Sequence, residues 1–333
     1  MLKTYFVNDT LFKESKGVPK MICLTRKKTE KSVIKEALEA LGKENLALIV
    51  HGSSFPANDG EDTGFGTYNS DAGHKLIAYA SKYFNALQLG PAGKTKNSDS
   101  SPYCGTIFSG NPLFIDLKQL TTKDWGEILS INLFKKVVRE NPKQNQGRTA
   151  YSYICKAQME VLKEAWNNFK SKKILKKEFE KFKKENSSWL ENDSLYEALS
   201  IENGNDYWYI WENETDKNLL NPKTSDEKKI YQKRIDEIKE KYSDEIEFYK
   251  FCQFVLERQN EETKKYALKN GIKMIADRQV AFSDRDAWAY QSLFLDGWCL
   301  GCPPDYFSKD GQAWGFPVVN PDKMYNADGT LGE

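Results

Sequence analysis

The sequence is poor in the residues on which metal and disulfide chemistry depend. It has two histidines, His51 and His74, and its six cysteines are spread thinly over 333 residues. Only the stretch CLGC at 299–302 has the spacing of a metal or redox motif, and no second cysteine pair accompanies it. We therefore predict reduced thiols and no bound metal, with Cys299 and Cys302 as two small loop residues.

Long apolar runs and an excess of charge of one sign are also missing. No apolar stretch is longer than that at 46–50, which is far too short to cross a bilayer, and the amino terminus lacks the pattern of a secretory signal. Lys and Arg number 49 against 48 Asp and Glu, so no global field attracts nucleic acid or anionic lipid. These features predict a cytoplasmic protein that binds neither membranes nor nucleic acid and recognises its partner locally.

The common nucleotide and acyl-transfer motifs are not present. The stretch GPAGKTKNS at 90–98 contains Gly-Lys-Thr, but Gln88 stands where a phosphate loop needs glycine. No G-x-G-x-x-G opens a helix, and the two histidines suggest no Ser-His-Asp set. Nucleotide binding and acyl chemistry are therefore disfavoured.

Apolar runs alternate with helical patterns at both ends of the chain. The run at 46–50 is followed by a polar loop, a helical pattern at 71–82 and a second apolar run at 84–89. Near the other end, a helical pattern closes on Asn270-Gly271, as a left-handed cap should, and leads into the third run at 272–277. This α/β rhythm predicts parallel strands of a (β/α)8 barrel, whose working face lies at the carboxyl ends of the strands.

The segment 121–245 differs in composition from its flanks, being rich in Lys and Glu, and it predicts a mostly helical insertion with an aromatic stripe at Trp166, Phe169, Phe179 and Phe182. Thr224 and Glu227 form a candidate capping box. The aromatic cluster at 207–211 favours core packing over a ligand platform. The predicted divisions are an amino-terminal segment at 1–46, two strands with their loops at 47–120, the insertion at 121–245, and a helix, third strand and active-site loop at 246–333.

Short polar groups surround aromatic residues at two places where loops are expected. The stretch 97–117 gathers hydroxyls around Tyr103, and Asp277 follows the third apolar run. A sugar ring offers apolar faces for stacking and hydroxyls for paired hydrogen bonds, so such combinations suit a carbohydrate subsite. Two alternatives remain: Asp277 as a capping or ion-paired carboxylate, and Tyr103 packed beneath the insertion with its hydroxyl on a backbone carbonyl.

Seven segments, in chain order, are similar to those of one enzyme family. They are HGSSFP at 51–56, GFG at 64–66, LQLGP at 87–91, SPY with GNPLFIDL within 101–117, WLENDSLYEAL at 189–199, DRDAWA at 284–289 and PPDYFSKDGQAWG at 303–315. On these motifs the chain resembles the amylomaltases, the 4-α-glucanotransferases of glycoside hydrolase family 77. The resemblance covers about 47–320.

The resemblance implies retaining transfer of α-1,4-glucan segments, with maltodextrin as substrate and no metal or organic cofactor. It assigns Ser101 and Tyr103 to the donor sugar subsites and Asp277 to the sugar at the cleavage point. In the loop that guides the glucan chain it places three more substrate-binding residues: Asp305, Gln312 and Trp314.

The family's catalytic carboxylates have no counterpart in this sequence. In the family the nucleophile lies in an Arg-Ile-Asp-His-like segment on the fourth barrel strand, and the chain supplies only the first three strands. We therefore expect an incomplete barrel, the amino-terminal portion of a longer enzyme, with no catalytic residue in this chain. The alternatives are a non-catalytic glucan-binding subunit, completed by a partner chain that carries the missing carboxyl-terminal half, and an insertion that acts as a protein-interaction module.

Overall fold

The computed structural model describes residues 30–96, 101–144, 146–279 and 281–332. In chain order, the elements are α1 (Glu30–Ala40), β1 (Ala47–Val50), α2 (Asp71–Ala80), β2 (Ala86–Leu89), α3 (Ile131–Glu140), α4 (Tyr151–Ser171), α5 (Lys176–Glu185), α6 (Ser187–Glu202), α7 (Glu214–Asn218), α8 (Ser225–Lys241), α9 (Ser243–Lys269), β3 (Lys273–Ile275), α10 (Asp284–Ala289), β4 (Phe294–Cys302), β5 (Gln312–Val319) and α11 (Pro321–Met324). Within these ranges, no helix has the length and apolar character that a bilayer crossing requires.

The first three strands form a parallel sheet in the order β1-β2-β3. Ala47 lies opposite Ala86, and Leu87 lies opposite Met274. Parallel neighbours need crossover connections, which α2 supplies between β1 and β2 and α3 to α9 supply between β2 and β3. The three predicted strands and the helix between the first two are confirmed.

Local signals fix where several helices begin and end. Ser70 precedes α2 and its side chain accepts a hydrogen bond from the backbone N–H of Gly73. The predicted capping box of Thr224 and Glu227 is present at the start of α8. Gly271, at a φ of 75°, ends α9 in the left-handed conformation that glycine adopts at little cost.

Two clusters of buried side chains form the interior. The larger cluster joins the sheet to the predicted insertion, since Leu87 of β2 belongs to it together with Phe169 of α4. The predicted aromatic stripe is buried within this cluster, and its members are Trp166, Phe169, Phe179 and Phe182. The smaller cluster includes Leu195, Trp288 and Ile246. Helix α9 contributes Phe251 to the larger cluster and Ile246 to the smaller one.

The last strands, β4 and β5, form an antiparallel hairpin that corrects the prediction of loop for this part of the chain. Cys299 and Cys302 lie in β4, and Cys302 pairs with Gln312. The two strands approach closely at Gly301, where a Cβ atom would lie 2.1 Å from the carbonyl oxygen of Gln312. Much of both strands is exposed, so the alternation of apolar and polar residues that marks a half-buried strand is missing.

Candidate functional site at the carboxyl edge of the sheet

All three parallel strands end at one edge of the sheet, and polar residues follow two of them. His51 comes directly after β1, and its Nδ1 lies 3.0 Å from the Oγ of Ser53. Gly90 follows β2, and a Cβ atom there would lie 2.7 Å from the imidazole of His51. Asp277 follows β3 by two residues. In α/β folds, ligands bind at this carboxyl edge because loops from several strands meet there.

The chain after β2 folds back on itself as a short antiparallel ribbon. Gly93 forms an isolated bridge with Gly110, and the N–H of Lys94 donates to the carbonyl of Ser109 at 3.1 Å. A Cβ atom at Gly93 would lie 2.2 Å from the carbonyl oxygen of Thr106, so this approach requires glycine. The segments 92–95 and 106–111, called the ribbon below, therefore hold a fixed position next to the strand ends.

Two cavities flank the ribbon at the sheet edge. One, of about 200 Å³, is lined by His51, Pro102 and Tyr151 among others. The other, of about 290 Å³, lies between Phe108 of the ribbon and Asp277 after β3. Both include Gly93, so the ribbon separates them. Each cavity combines aromatic rings with polar groups, as a sugar subsite requires.

A third cavity beside the ribbon, of about 420 Å³, contains a charged network. The carboxylate of Glu197 accepts hydrogen bonds from Lys94 and Arg285, each at 2.5 Å. Arg285 also donates to the backbone carbonyl of Asp193 at 2.8 Å. Its guanidinium lies 5.0 Å from the ring centroid of Tyr196, in a cation–π arrangement. The network connects the ribbon, α6 and α10.

The charges of this network are set by burial and by each other. Burial on its own would raise the pKa of Glu197, but the charges and hydrogen bonds of Lys94 and Arg285 lower that pKa to about 2. Burial lowers the pKa of Lys94, and the charge of Glu197 opposes this effect. Burial raises the pKa of Asp193, partly offset by the charge of Arg285. An ionised Glu197 accepts hydrogen bonds at neutral pH and has no proton to donate, so it is unsuited to general acid catalysis.

The family model of glycoside hydrolase family 77, described as 4-alpha-glucanotransferase, matches residues 50–328, a range that contains the sheet edge, the ribbon and the charged network. This chain belongs to that family. It is 30% identical to the 4-alpha-glucanotransferase of Aquifex aeolicus over 82% of this chain and 52% of the relative. It is 31% identical to that of Clostridium butyricum over 81% of this chain and 53% of the relative.

Solved structures of amylomaltases are similar to this family 77 chain in fold. The amylomaltase from Streptococcus agalactiae, solved in complex with acarbose, superposes with a TM-score of 0.69 at 23% identity. This superposition covers 83% of the present chain and 53% of the other. The amylomaltase from Corynebacterium glutamicum gives a TM-score of 0.58 at 17% identity. The chain spans about half the length of the curated relatives it matches.

The residues that the family resemblance assigned to the donor sugars lie beside the ribbon. Ser101 precedes the short 3₁₀ helix Pro102–Cys104, and Tyr103 within that helix is 47% exposed. Asp277 is half-buried and lines the cavity beside Phe108. The remainder of the hydroxyl-rich stretch, 97–100, lies outside the described residues. The roles of Ser101, Tyr103 and Asp277 stay predictions.

The other predicted substrate residues of the family 77 chain lie on the hairpin. Asp305 accepts hydrogen bonds from the backbone N–H groups of Phe307 and Ser308 and so shapes the turn between β4 and β5. The side chain of Gln312 accepts a hydrogen bond from the indole N–H of Trp314 at 3.1 Å, and Trp314 is 43% exposed. The structure thus brings Gln312 and Trp314 together on one strand, and their role in guiding a glucan stays a prediction.

The charged network contains residues that the sequence had not identified as functional. Lys94 and Glu197 are 103 positions apart, and Glu197 and Arg285 are 88 apart, so no local pattern relates them. Lys94 lies in the glycine-rich stretch after β2, and Glu197 and Arg285 lie in segments similar to family 77 motifs. Their place within these segments was the only signal that the sequence offered for them.

Proposed function

We propose that the chain supplies the first three strands of a (β/α)8 barrel and part of the substrate-binding face of a 4-α-glucanotransferase. The observation that carries the proposal is the family match across 50–328, because it includes every loop at the carboxyl edge of the sheet. The relatives that share this region are named 4-alpha-glucanotransferases. The reaction proposed for the family member is retaining transfer of an α-1,4-glucan segment to another glucan.

In this proposal the sheet edge binds the donor glucan. Tyr103 offers an exposed ring for stacking on a glucose face, and Ser101 and Asp277 offer hydrogen-bonding groups for its hydroxyls. The ionised Glu197 and its two cations hold the ribbon, which carries the loop of Ser101 and Tyr103. The hairpin residues Asp305, Gln312 and Trp314 extend the same glucan path in the assembled site, which serves the positioning that transfer between two sugars needs.

The chemical step of retaining transfer needs a carboxylate nucleophile and a carboxylic acid about 5 to 5.5 Å apart. This sequence has an Arg-Ile-Asp at 234–236, but that stretch lies within α8, and Arg234 is paired with Asp216 at 2.8 Å. It therefore differs from the strand-end segment that carries the nucleophile in the family. We propose that these 333 residues bind and orient glucan, while the nucleophile belongs to the carboxyl-terminal half of the barrel.

Two measurements on the purified chain test the proposal. We expect calorimetric titration to detect maltoheptaose binding and no binding of cellohexaose, whose β-1,4 linkages present a different chain shape. We also expect chromatography to find neither glucose nor longer maltodextrins after incubation with maltotriose. Equal binding of the two glucans would refute the glucan specificity, and product formation would refute the assignment of the nucleophile to other residues.

A further inference from the structure

A cavity of about 680 Å³ lies apart from the ribbon, between the segment 207–223 and the hairpin. We call it the hairpin cleft. Tyr207, Tyr209 and Trp298 are among the residues that line it, and the described residues of its lining include neither Tyr103 nor Asp277. The cleft is therefore separate from the sheet edge where the donor glucan is proposed to bind.

Three aromatic rings of the hairpin cleft are exposed to solvent. Trp298 is 69% exposed, and Tyr207 and Tyr209 are 41% and 46% exposed. Tyr209 stacks on Trp208 with ring centroids 3.9 Å apart, which fixes the orientation of its free face. The prediction that this cluster packs into the core is thus correct for Trp208 and Trp211, which are buried, and wrong for the two tyrosines. Exposed rings held in one orientation leave apolar surface in contact with water, and a ligand stacked on them would bury that surface.

The position of Trp298 is set by an irregularity in β4. The pairing of β4 with β5 shifts register between Phe294 and Cys299, and Gly297 within that interval has a φ of 74°. Bulges of this type turn a side chain away from the regular pleat and recur beside binding sites. Trp298, directly after Gly297, lines the cleft together with Asp296.

The polar groups of the cleft favour a neutral, hydroxyl-rich ligand. Asn221 donates a hydrogen bond to the side chain of Gln291 at 3.2 Å and accepts one from Lys223 at 3.0 Å. Lys223 and Asp296 carry opposite charges, so the described lining has no excess of positive charge for a phosphate. The indole N–H of Trp208, which is 9% exposed, has no hydrogen-bond partner among the described residues. Amide and acid side chains beside stacked rings match the alternating polar edges and apolar faces of a sugar chain.

We propose that the hairpin cleft is a second glucan-binding site, which holds a maltodextrin segment away from the sheet edge. The choice of an α-1,4-linked chain rests on the proposed function, whereas the choice of an oligosaccharide rests on the cleft itself. A site of this kind would keep a long glucan attached while its end exchanges at the sheet edge. The entropy cost of holding one glucan chain would then be shared between two binding sites on the protein.

The test is calorimetric titration of maltoheptaose into the full chain carrying Tyr103→Ala, which weakens the sheet-edge site. Adding Trp298→Ala should weaken the remaining binding by about tenfold, the scale for losing one stacked ring with its contacts. Trp298→Phe keeps an aromatic face and should retain most of the affinity. Tyr79→Ala removes a comparably exposed ring from α2 and should leave the affinity unchanged.

Several outcomes would overturn the proposal. Unchanged affinity on adding Trp298→Ala would exclude the cleft as a glucan site. Complete loss of binding in Tyr103→Ala alone would also exclude it, although the proposed function of the sheet edge would still stand. An equal loss in Trp298→Phe and Trp298→Ala would show that stacking is not involved. Binding of a proline decamer that depends on Trp298, in place of maltoheptaose binding, would assign the cleft to a peptide. Near-ultraviolet circular dichroism verifies that each variant keeps the parent's tertiary packing.

Discussion

The ammonium of Lys94 lies 2.5 Å from the carboxylate of Glu197, so the ribbon after β2 is joined by an ion pair to a helix more than 100 positions further along the chain. Both side chains are largely buried, at 20% and 29% exposure. Arg285 shares the same carboxylate oxygen. One carboxylate thus balances two cations, and its removal leaves Lys94 and Arg285 without the negative charge that they share.

Glu197→Gln should destabilise the fold by about 3 kcal/mol, because breaking a buried ion pair leaves uncompensated charge in a medium of low polarity. Urea unfolding followed by circular dichroism measures the change. Glu185→Gln is the matched control, since Glu185 is 61% exposed and pairs with Lys181 at 3.7 Å. An exposed pair of this kind contributes at most about 0.5 kcal/mol. Equal effects of the two substitutions would contradict a stabilising role for the network.

Tyr103→Ala should weaken maltoheptaose binding by about 1 to 3 kcal/mol, the scale for losing a stacked ring and its hydroxyl bond. Tyr103→Phe removes only the hydroxyl and should cost about 1 kcal/mol or less. Calorimetric titration of the two variants separates stacking from hydrogen bonding. If both variants bind as the parent does, the exposed ring has no part in glucan recognition.

The raised pKa of Asp116 predicts that the fold loses stability as pH rises. Burial raises the pKa of this carboxyl from 3.8 to about 6, more than its hydrogen bond from the backbone N–H of Lys118 lowers it. The native state therefore binds more protons than the unfolded state between these values. The stabilisation is complete below pH 3.8 and disappears as pH rises through about 6.

Asp116→Asn should remove this dependence, because the amide oxygen can still accept the bond from Lys118 without carrying charge. Relative to the parent, the variant should gain up to about 3 kcal/mol between pH 4 and pH 7. Urea unfolding at several pH values provides the measurement. Parallel stability curves for the two proteins would show that the carboxyl titrates alike in the folded and unfolded states.

Gly93→Ala should open the ribbon, since the added Cβ would lie 2.2 Å from a backbone carbonyl that cannot move alone. We expect a loss of about 2 kcal/mol or more in unfolding free energy, as for overpacking, with weaker maltoheptaose binding at the sheet edge. Gly147→Ala is the control: it has a φ of 61° but nothing within 4 Å, so it reports backbone strain alone, about 1 kcal/mol. A smaller loss at Gly93 than at Gly147 would rule out the close approach.

The parts of the fold that the sequence predicts are those with local causes. Helix α2 follows a capping serine, α8 begins at the Thr224–Glu227 capping box, and α9 ends at a left-handed Gly271. The strands of the parallel sheet are short apolar runs between such signals. Each of these features depends on residues within a few positions of one another, where propensity and capping act.

The features that escaped prediction depend on distant residues or on exposed ones. The pairing of Lys94 with Glu197 and Arg285 exists only because the connections bring the ribbon, α6 and α10 together. The hairpin has solvent on much of both faces, so burial imposes no period of two on its side chains. The exposure of Tyr207 and Tyr209 likewise depends on how distant segments pack around them, which no local pattern predicts.

Helix α9 fixes the positions of the two buried clusters relative to one another. Ile246 and Phe251 are five residues apart on one rigid helix and are buried in different clusters. Each residue of an α-helix advances the chain by about 100° of rotation and 1.5 Å of rise. Inserting or deleting a single residue between them would therefore turn one cluster's contacts toward solvent while the other stayed in place.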